Sequence, residues 1–216
     1  MIRFQLDSAR EGPLKVLCLG CHSDDIEIGC GGAILRLIAD YPVCEVHWVV
    51  FSASGNREVE AQRSAELFVG RDRLRGPLLH KFPDGFMPFV GSDVKALFEQ
   101  LKHLSPDLIF THSRDDAHQD HRLIAELTWN TFRNHFILEY EIPKYDGDLG
   151  RPNVFLPLSS EIVQTKIRNL MEVFQSQRSR HWFEESTFLA LLRLRGMECN
   201  AQSGYAEGFY CRKLVV

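Results

Sequence analysis

The chain has 216 residues, a net charge of −4 at pH 7 and a hydrophobic fraction of 44%. This length and composition fit one globular domain with a sizeable core, and we expect that domain to span residues 1–216. The acidic balance, with a pI near 6.1, argues against a nucleic-acid-binding surface, which usually carries a basic excess.

Targeting and membrane signals are not evident in the sequence. Residues 1–15 contain no continuous apolar stretch of signal-peptide length, and no run approaches the roughly 18 apolar residues of a membrane span. We therefore expect a cytoplasmic protein with no membrane span. The six cysteines are expected to be reduced packing residues, because a chain of this size needs no disulfides.

Apolar, strand-like runs alternate with helical periodicity along the chain. The predicted strands are 16–20, 46–51, 78–82, 108–110 and 209–215. The predicted helices are 31–39, 58–68, 94–103, 121–132, 161–174 and 186–194. This alternation predicts an α/β fold with a Rossmann-like, mostly parallel sheet and helices on both faces. Residues 145–157, rich in Gly, Pro and Asp, predict a long loop of the kind that often covers a substrate.

The first predicted strand ends in the polar segment Cys21-His22-Ser23-Asp24-Asp25, and ligands of open sheets bind at such strand ends. His22 and Asp25 lie three residues apart and can turn the same way to bind a divalent metal. Asp24 would then stay unligated and accept a proton from a water molecule that the metal acidifies. Glu27 could orient a ligand imidazole. A nucleotide-binding turn is the alternative, but it requires glycines where this strand ends.

A second cluster, His118-Gln119-Asp120-His121, follows the predicted strand at 108–110. His121 is the better metal ligand, and His118, held by Asp120, is the better proton donor or oxyanion stabiliser. A carboxylate beside an imidazole favours the charged form, so we expect Asp120 to raise the pKa of His118. Alone, such a pair is often a helix cap with a surface histidine. Together, the two clusters predict the site of a mononuclear zinc hydrolase.

The two clusters also resemble the motifs of a known family. The segments His22-Ser23-Asp24-Asp25-Ile26-Glu27-Ile28-Gly29-Cys30-Gly31-Gly32 and His118-Gln119-Asp120-His121 are similar to those of the LmbE-like, or PIG-L, zinc-dependent N-deacetylases. These enzymes remove acetyl groups from N-acetylglucosamine in glycolipids and other glycoconjugates. The resemblance extends through Arg57, through Pro83-Asp84-Gly85 and through Tyr205-Ala206-Glu207-Gly208-Phe209.

The resemblance implies a role for each matching residue. His22, Asp25 and His121 would bind one zinc ion per chain, Asp24 would be the general base, His118 would be an electrostatic or acid partner tuned by Asp120, and Arg57 and Asp84 would contact the sugar. Ser23 and Gln119 stand where the family usually has proline. Asp116 stands where some members carry a tyrosine that assists the transition state, so that assistance is in doubt here.

These observations predict a zinc-dependent hydrolase that removes the N-acetyl group from an N-acetylglucosamine-type sugar or glycoconjugate. Its expected partner is a small-molecule substrate without nucleic acid, and a homo-oligomer is left open. Three alternatives remain at this point. They are a zinc amidohydrolase acting on a non-sugar N-acyl substrate, a Rossmann protein that binds a nucleotide or methyl donor without metal, and a non-catalytic assembly subunit.

Overall fold

A computed structural model of the protein describes residues 12–41 and 44–215. These ranges contain strands β1 (Leu14–His22), β2 (Cys44–Ser52), β3 (Leu74–Leu79), β4 (Leu108–His112), β5 (Phe136–Tyr140), β6 (Val154–Pro157) and β7 (Ala206–Tyr210). The strands form one seven-stranded sheet in the order β3-β2-β1-β4-β5-β7-β6. The first five strands are parallel, and β7 runs antiparallel to β5 and β6. The predicted α/β fold with a mostly parallel sheet is confirmed.

Six α-helices lie in the described ranges. They are α1 (Asp25–Asp40), α2 (Asn56–Val69), α3 (Gly91–Leu101), α4 (Gln119–Thr131), α5 (Ser160–Val173) and α6 (Glu185–Glu198). The longest of them, α1, has 16 residues, whereas a membrane span needs about 20 apolar residues. Accordingly, no helix in this part of the chain is a candidate for crossing a membrane.

The side chains of β1 alternate between two hydrophobic cores, one on each face of the sheet. Val16 and Cys18 pack in the core formed with α1, α2, α5 and α6. Leu17, Leu19 and Cys21 pack in the core formed with α3 and α4. Successive residues of a strand point to opposite faces, so a strand buried on both faces is apolar throughout. The predicted placement of helices on both faces is therefore confirmed.

The order of the strands reverses at β1. The chain moves outward from β1 through β2 to β3 and then returns to place β4 on the other side of β1. The carboxyl ends of β1 and β4 flank the crevice where open α/β sheets bind ligands. β1 ends at His22 and β4 ends at His112, so two imidazoles stand at this crevice.

Several sequence-based boundaries were wrong, including the start of α1, which is Asp25 and not residue 31. β3 covers Leu74–Leu79, so it begins and ends earlier than the predicted strand at 78–82. β5 was not predicted, and β6 lies inside the segment 145–157 that was predicted to be a loop. β6 is an edge strand that ends in Pro157, and proline in a strand is confined to edges and ends, which weakens its sequence signal. β7 covers Ala206–Tyr210 and thus ends before the predicted limit at residue 215.

Candidate active site

Three side chains at the crevice bring their metal-binding atoms together. His22 Nδ1 lies 3.1 Å from His121 Nε2, and Asp25 Oδ2 lies 3.4 Å from the first nitrogen and 3.5 Å from the second. We call these three atoms the metal triangle. Zinc ligands at about 2.0–2.2 Å in tetrahedral geometry are spaced about 3.3–3.6 Å apart, so the metal triangle fits such an ion. The predicted proximity of these three residues is present in the structure.

Asp116 fixes the orientation of the His121 ring. Asp116 Oδ2 lies 3.0 Å from His121 Nδ1, and a carboxylate only accepts hydrogen bonds, so Nδ1 carries the proton. The unprotonated Nε2 then faces the metal triangle. A carboxylate behind a metal-binding histidine orients the ring and raises its basicity. The imidazole and Lys144, whose Nζ lies 3.0 Å from Asp116 Oδ2, help lower the pKa of Asp116 against the opposing effect of burial.

The His22 ring has acidic neighbours on the side away from the metal triangle. Its Nε2 lies 3.0 Å from Asp84 Oδ1 and 3.8 Å from Asp120 Oδ2, although neither contact has hydrogen-bond alignment. The two carboxylates favour a proton on Nε2, and against the effect of burial the neighbouring acidic groups raise the pKa of His22. With both facing nitrogens unprotonated, His22 Nδ1 and His121 Nε2 would be two acceptors beside the Asp25 carboxylate. Such an arrangement is repulsive unless a proton or a metal cation lies between the three atoms.

The charge balance of the site also favours a cation. Five carboxylates surround the crevice, namely Asp24, Asp25, Asp84, Asp116 and Asp120, and the cations in contact with them are Arg57 and Lys144. Four of these carboxylates are buried, and burying charge is costly unless it is paired or coordinates a metal. A divalent cation would offset most of this excess negative charge. Cys21 also lies beside the metal triangle, but its Sγ contacts Met87 Sδ at 3.6 Å in the core packed with α3 and α4.

Asp24 lies next to the metal triangle without belonging to it. Its Oδ1 is 3.5 Å from Arg57 Nη2, and its side chain is buried. Burial and then the neighbouring Asp25 carboxylate raise the pKa of Asp24 to about 6, while Arg57 lowers it. A carboxylate with a pKa near neutral can both accept and return a proton, as the prediction of a general base requires. Arg57 also lies 3.2 Å from Asp84, so the two predicted sugar contacts form an ion pair at the rim of the site.

His118 and Asp120 lie at the site, but their predicted relationship is wrong. The Asp120 backbone N–H donates to His118 Nδ1 at 3.3 Å, whereas its carboxylate accepts from the N–H groups of Gly85 and Met87. Burial, followed by the charges of His121 and His22, lowers the pKa of His118 by more than Asp120 raises it, so the expected rise above the ordinary value is also wrong. A neutral His118 that accepts at Nδ1 carries its proton on Nε2.

The second correction concerns the residues that orient the ligands. Glu27 was expected to hold a ligand imidazole, but its side chain is fully buried and neither carboxyl oxygen pairs with an imidazole among the described residues. Asp116 has that role for His121. His112 was not predicted either: its Nε2 accepts from the Cys21 N–H at 3.0 Å and lies 3.3 Å from Asp25 Oδ2. Burial and the neighbouring His121 lower the pKa of His112 to about 4, so this ring is neutral.

The position of His112 at the end of β4 is a signal that sequence reasoning could have used, because the strand prediction stopped two residues too early. Asp116 lies in the loop between β4 and α4. It precedes His121 by five residues, and side chains at that spacing are not neighbours on a helix. Its role depends on how that loop folds back, which the sequence pattern does not reveal. Asp116 Oδ1 accepts from the His118 N–H at 2.8 Å, and this bond helps to shape the loop.

Comparison with known proteins agrees with this geometry. Residues 17–132 match the sequence model of the PIG-L family, described as GlcNAc-PI de-N-acetylase. Among solved structures, the conserved protein TT1542 from Thermus thermophilus is similar at 20% identity with a TM-score of 0.74, covering 94% of this chain and 96% of that one. The N,N'-diacetylchitobiose deacetylase from Pyrococcus horikoshii is similar at 21% identity with a TM-score of 0.67, covering 92% and 83%.

A third similar structure is named as a hydratase and not as a deacetylase. It is GalB, the 4-carboxy-2-hydroxymuconate hydratase from Pseudomonas putida, at 19% identity with a TM-score of 0.73, covering 94% of this chain and 97% of that one. At such identities these structures establish a shared fold alone. The family match spans β1 to α4 and includes both polar clusters, which covers more than half of the chain. The chain therefore belongs to the PIG-L, or LmbE-like, family.

Proposed function

We propose that the protein is a zinc-dependent hydrolase that removes the acetyl group from an N-acetylglucosamine-type sugar or glycoconjugate. The observation that carries the proposal is the metal triangle, in which two imidazole nitrogens and a carboxylate oxygen lie within 3.5 Å of one another beside Asp24. One zinc ion per chain, held by His22, Asp25 and His121, would act as a Lewis acid toward the amide carbonyl and make a water molecule more acidic. The family membership supports the same reaction class.

Asp24 is the proposed proton carrier. It accepts a proton as the oxygen of water bonds to the acetyl carbon, and it returns that proton to the sugar nitrogen as the carbon–nitrogen bond breaks. The products are acetic acid and the free amine; the acid then gives its proton to the amine or to solvent, so atoms and protons balance. Arg57, 3.5 Å from Asp24 Oδ1, holds the carboxylate in place. A pKa of about 6 suits both halves of this transfer near neutral pH.

His118 is the proposed stabiliser of the carbonyl oxygen as that oxygen becomes negative. Its Nδ1 accepts the Asp120 backbone N–H, so its Nε2 carries the proton that can be donated to the substrate. Removal of one such preorganised donor typically raises the activation free energy by about 2.7–4 kcal/mol. Since His118 is neutral, it has no spare proton to lose, and Asp24 is the proposed donor to the leaving amine.

Arg57 and Asp84 are the proposed contacts of the sugar hydroxyls. Both reach the rim of the crevice, where the Arg57 side chain is partly exposed and the Asp84 side chain is about half exposed. A guanidinium donates and a carboxylate accepts, so the pair can bind adjacent hydroxyl groups. Three other expectations stay predictions: a cytoplasmic location, the absence of a nucleic-acid partner, and one domain over residues 1–216. Whether the protein forms a homo-oligomer stays open.

A deacetylation screen across N-acetylglucosaminyl conjugates, run with and without a chelator, tests the proposal. We expect acetate release, about one zinc per purified chain, and loss of both after chelation. His121→Ala should abolish tight metal binding, because it removes one corner of the metal triangle. Activity on non-sugar N-acyl substrates alone would favour the alternative zinc amidohydrolase. Full zinc occupancy in His121→Ala would refute the assignment of the ligands.

A further inference from the structure

Residues 85–90, which we call the aromatic turn, are held in place by the candidate active site. Asp120 accepts the N–H of Gly85 at 2.6 Å with one carboxyl oxygen and the N–H of Met87 at 3.2 Å with the other. Phe86 lies between these two anchored residues. The backbone of the turn at Phe86 is therefore anchored to the first turn of α4, which also carries His121 of the metal triangle.

The aromatic turn presents two phenyl rings to solvent. Phe86 is 62% exposed and Phe89 is 82% exposed, and their ring centroids lie 6.0 Å apart. The other phenylalanines in the described ranges are buried or partly buried. Single exposed apolar residues are common, but a contiguous pair on an anchored turn beside a polar site is typical of a ligand-binding surface. The Phe89 N–H donates to the Phe86 carbonyl at 3.0 Å, which keeps the two residues in one rigid unit.

The aromatic turn follows directly on a residue that contacts His22 of the metal triangle. Asp84 is two residues before Phe86, so their Cα atoms lie at most about 7.6 Å apart. The Asp84 carboxylate is itself 3.0 Å from His22 Nε2 and 3.2 Å from Arg57. The aromatic turn therefore lies next to a side chain that the proposed function assigns to the sugar, close enough for a group attached to that sugar to contact it.

We propose that Phe86 and Phe89 bind an apolar aglycone, so that the preferred substrates are N-acetylglucosaminyl conjugates with a hydrophobic group attached to the sugar. This inference rests on the proposed deacetylase function and specifies its substrate class. Phenyl rings offer no polar atom to the sugar hydroxyls, for which Arg57 and Asp84 are available. They offer instead the large apolar area that a hydrophobic group would cover.

Steady-state kinetics of the double variant Phe86→Ala/Phe89→Ala test the inference. The substrates are N-acetylglucosamine and phenyl N-acetyl-β-glucosaminide. We expect KM for the phenyl glycoside to rise by about tenfold with kcat unchanged, while KM for the free sugar stays constant, because only the apolar contact is lost. Met197→Ala is the matched control, since Met197 is 65% exposed on α6, outside the aromatic turn. An equal rise in KM for both substrates, or no rise, would overturn the proposal.

A binding measurement separates this inference from the proposed function. Phenyl β-glucoside has no amide to hydrolyse, and we expect titration calorimetry to give a Kd about tenfold higher for the double variant than for the parent protein. Retained binding in a parent without deacetylase activity would refute the proposed reaction and leave the aglycone site standing. Equal affinities in parent and variant would overturn the aglycone site. A concentration-dependent dimer that sediments as a monomer only in the variant would assign the two rings to a second copy of this chain instead.

Discussion

Asp24 is distinguished from its neighbour Asp25 by its partners, and this difference can be tested. Asp25 contacts both imidazoles of the metal triangle, whereas Asp24 contacts Arg57. We expect Asp24→Asn to keep its zinc and to lose about 100-fold to 10,000-fold in turnover, because an amide cannot accept the proton. Metal content by elemental analysis and acetate release are measured on the same sample. A loss below about tenfold with zinc still bound would identify another group as the base.

Asp116 provides a second test at the scale of single residues. Asp116→Ala should weaken zinc binding by about 10-fold to 100-fold, because the His121 ring loses the acceptor that orients it. Asp116→Asn should recover part of this loss, since an amide oxygen can accept the same hydrogen bond. Asp115→Ala is the control, because Asp115 is 80% exposed and pairs with Arg212. Zinc affinity is measured by competition with a chelator, and equal affinities in Asp116→Ala and the control would contradict the positioning role.

The residues of the metal triangle could be predicted from the sequence, whereas their supporting residues could not. His22, Asp25 and His121 stand at fixed distances from strand ends and helix starts, and those positions converge in a parallel sheet. Asp116 acts through a loop, so its contact with His121 depends on backbone turns without a periodic pattern. For the same reason Asp120 looked like the partner of His118, although its carboxylate faces the aromatic turn.

Among the helices, α1 contacts its neighbours so closely that one added methyl group should be harmful. A Cβ built at Gly29 would overlap the ring of Tyr140, whose hydroxyl donates to the Leu19 carbonyl at 2.7 Å. Alanine in place of glycine usually stabilises a helix by about 1 kcal/mol. Here we expect Gly29→Ala to lower the free energy of unfolding by about 1–3 kcal/mol, because the core is overpacked.

Urea denaturation followed by circular dichroism gives this free energy. Gly91→Ala is the matched control, since Gly91 begins α3 and the new Cβ would lie 4.0 Å from Leu123, an ordinary van der Waals contact. The control should be neutral or slightly stabilising. A stabilised Gly29→Ala would show that Tyr140 can move away at little cost.

The middle of α1 is also joined to the far end of the chain. Glu207 in β7 accepts the N–H groups of Gly32 at 2.8 Å and Ala33 at 2.6 Å, and it pairs at 2.6 Å with the buried Lys166 of α5. Lys166 in turn donates to the Ile28 carbonyl at 2.6 Å. Glu207→Gln should lower the free energy of unfolding by about 3–5 kcal/mol, because it leaves a buried ammonium without its charged partner.

A double variant separates the ion pair from the hydrogen bonds to the helix. Glu207→Leu/Lys166→Met replaces both charges with apolar groups, and such replacements of buried ion pairs are often neutral. We expect the double variant to remain destabilised by about 1–3 kcal/mol, because the Gly32 and Ala33 N–H groups lose an acceptor. Full recovery in a denaturation experiment would mean that the ion pair alone explains the effect of Glu207→Gln.

For the whole molecule, the parallel half of the sheet follows from the sequence more clearly than the antiparallel half. β1, β2 and β4 are apolar runs separated by helices of ordinary length, and this alternation specifies a parallel sheet. β5 and β6 are short, and the pairing of β7 between them joins segments that are distant along the chain. No local pattern specifies such a pairing, so the place of β7 between β5 and β6 in the sheet could not be predicted.

The attachment of α1 to β7 has a consequence for how the protein is made. Gly32 precedes its acceptor Glu207 by 175 residues. At a synthesis rate of about 5–20 residues per second, roughly 9–35 s separate the appearance of the two partners on the ribosome. During that interval the helix that bears Asp25 lacks its hydrogen bonds to Glu207. His22 and Asp25, two of the three proposed zinc ligands, are therefore synthesised well before the strand that helps to support their helix.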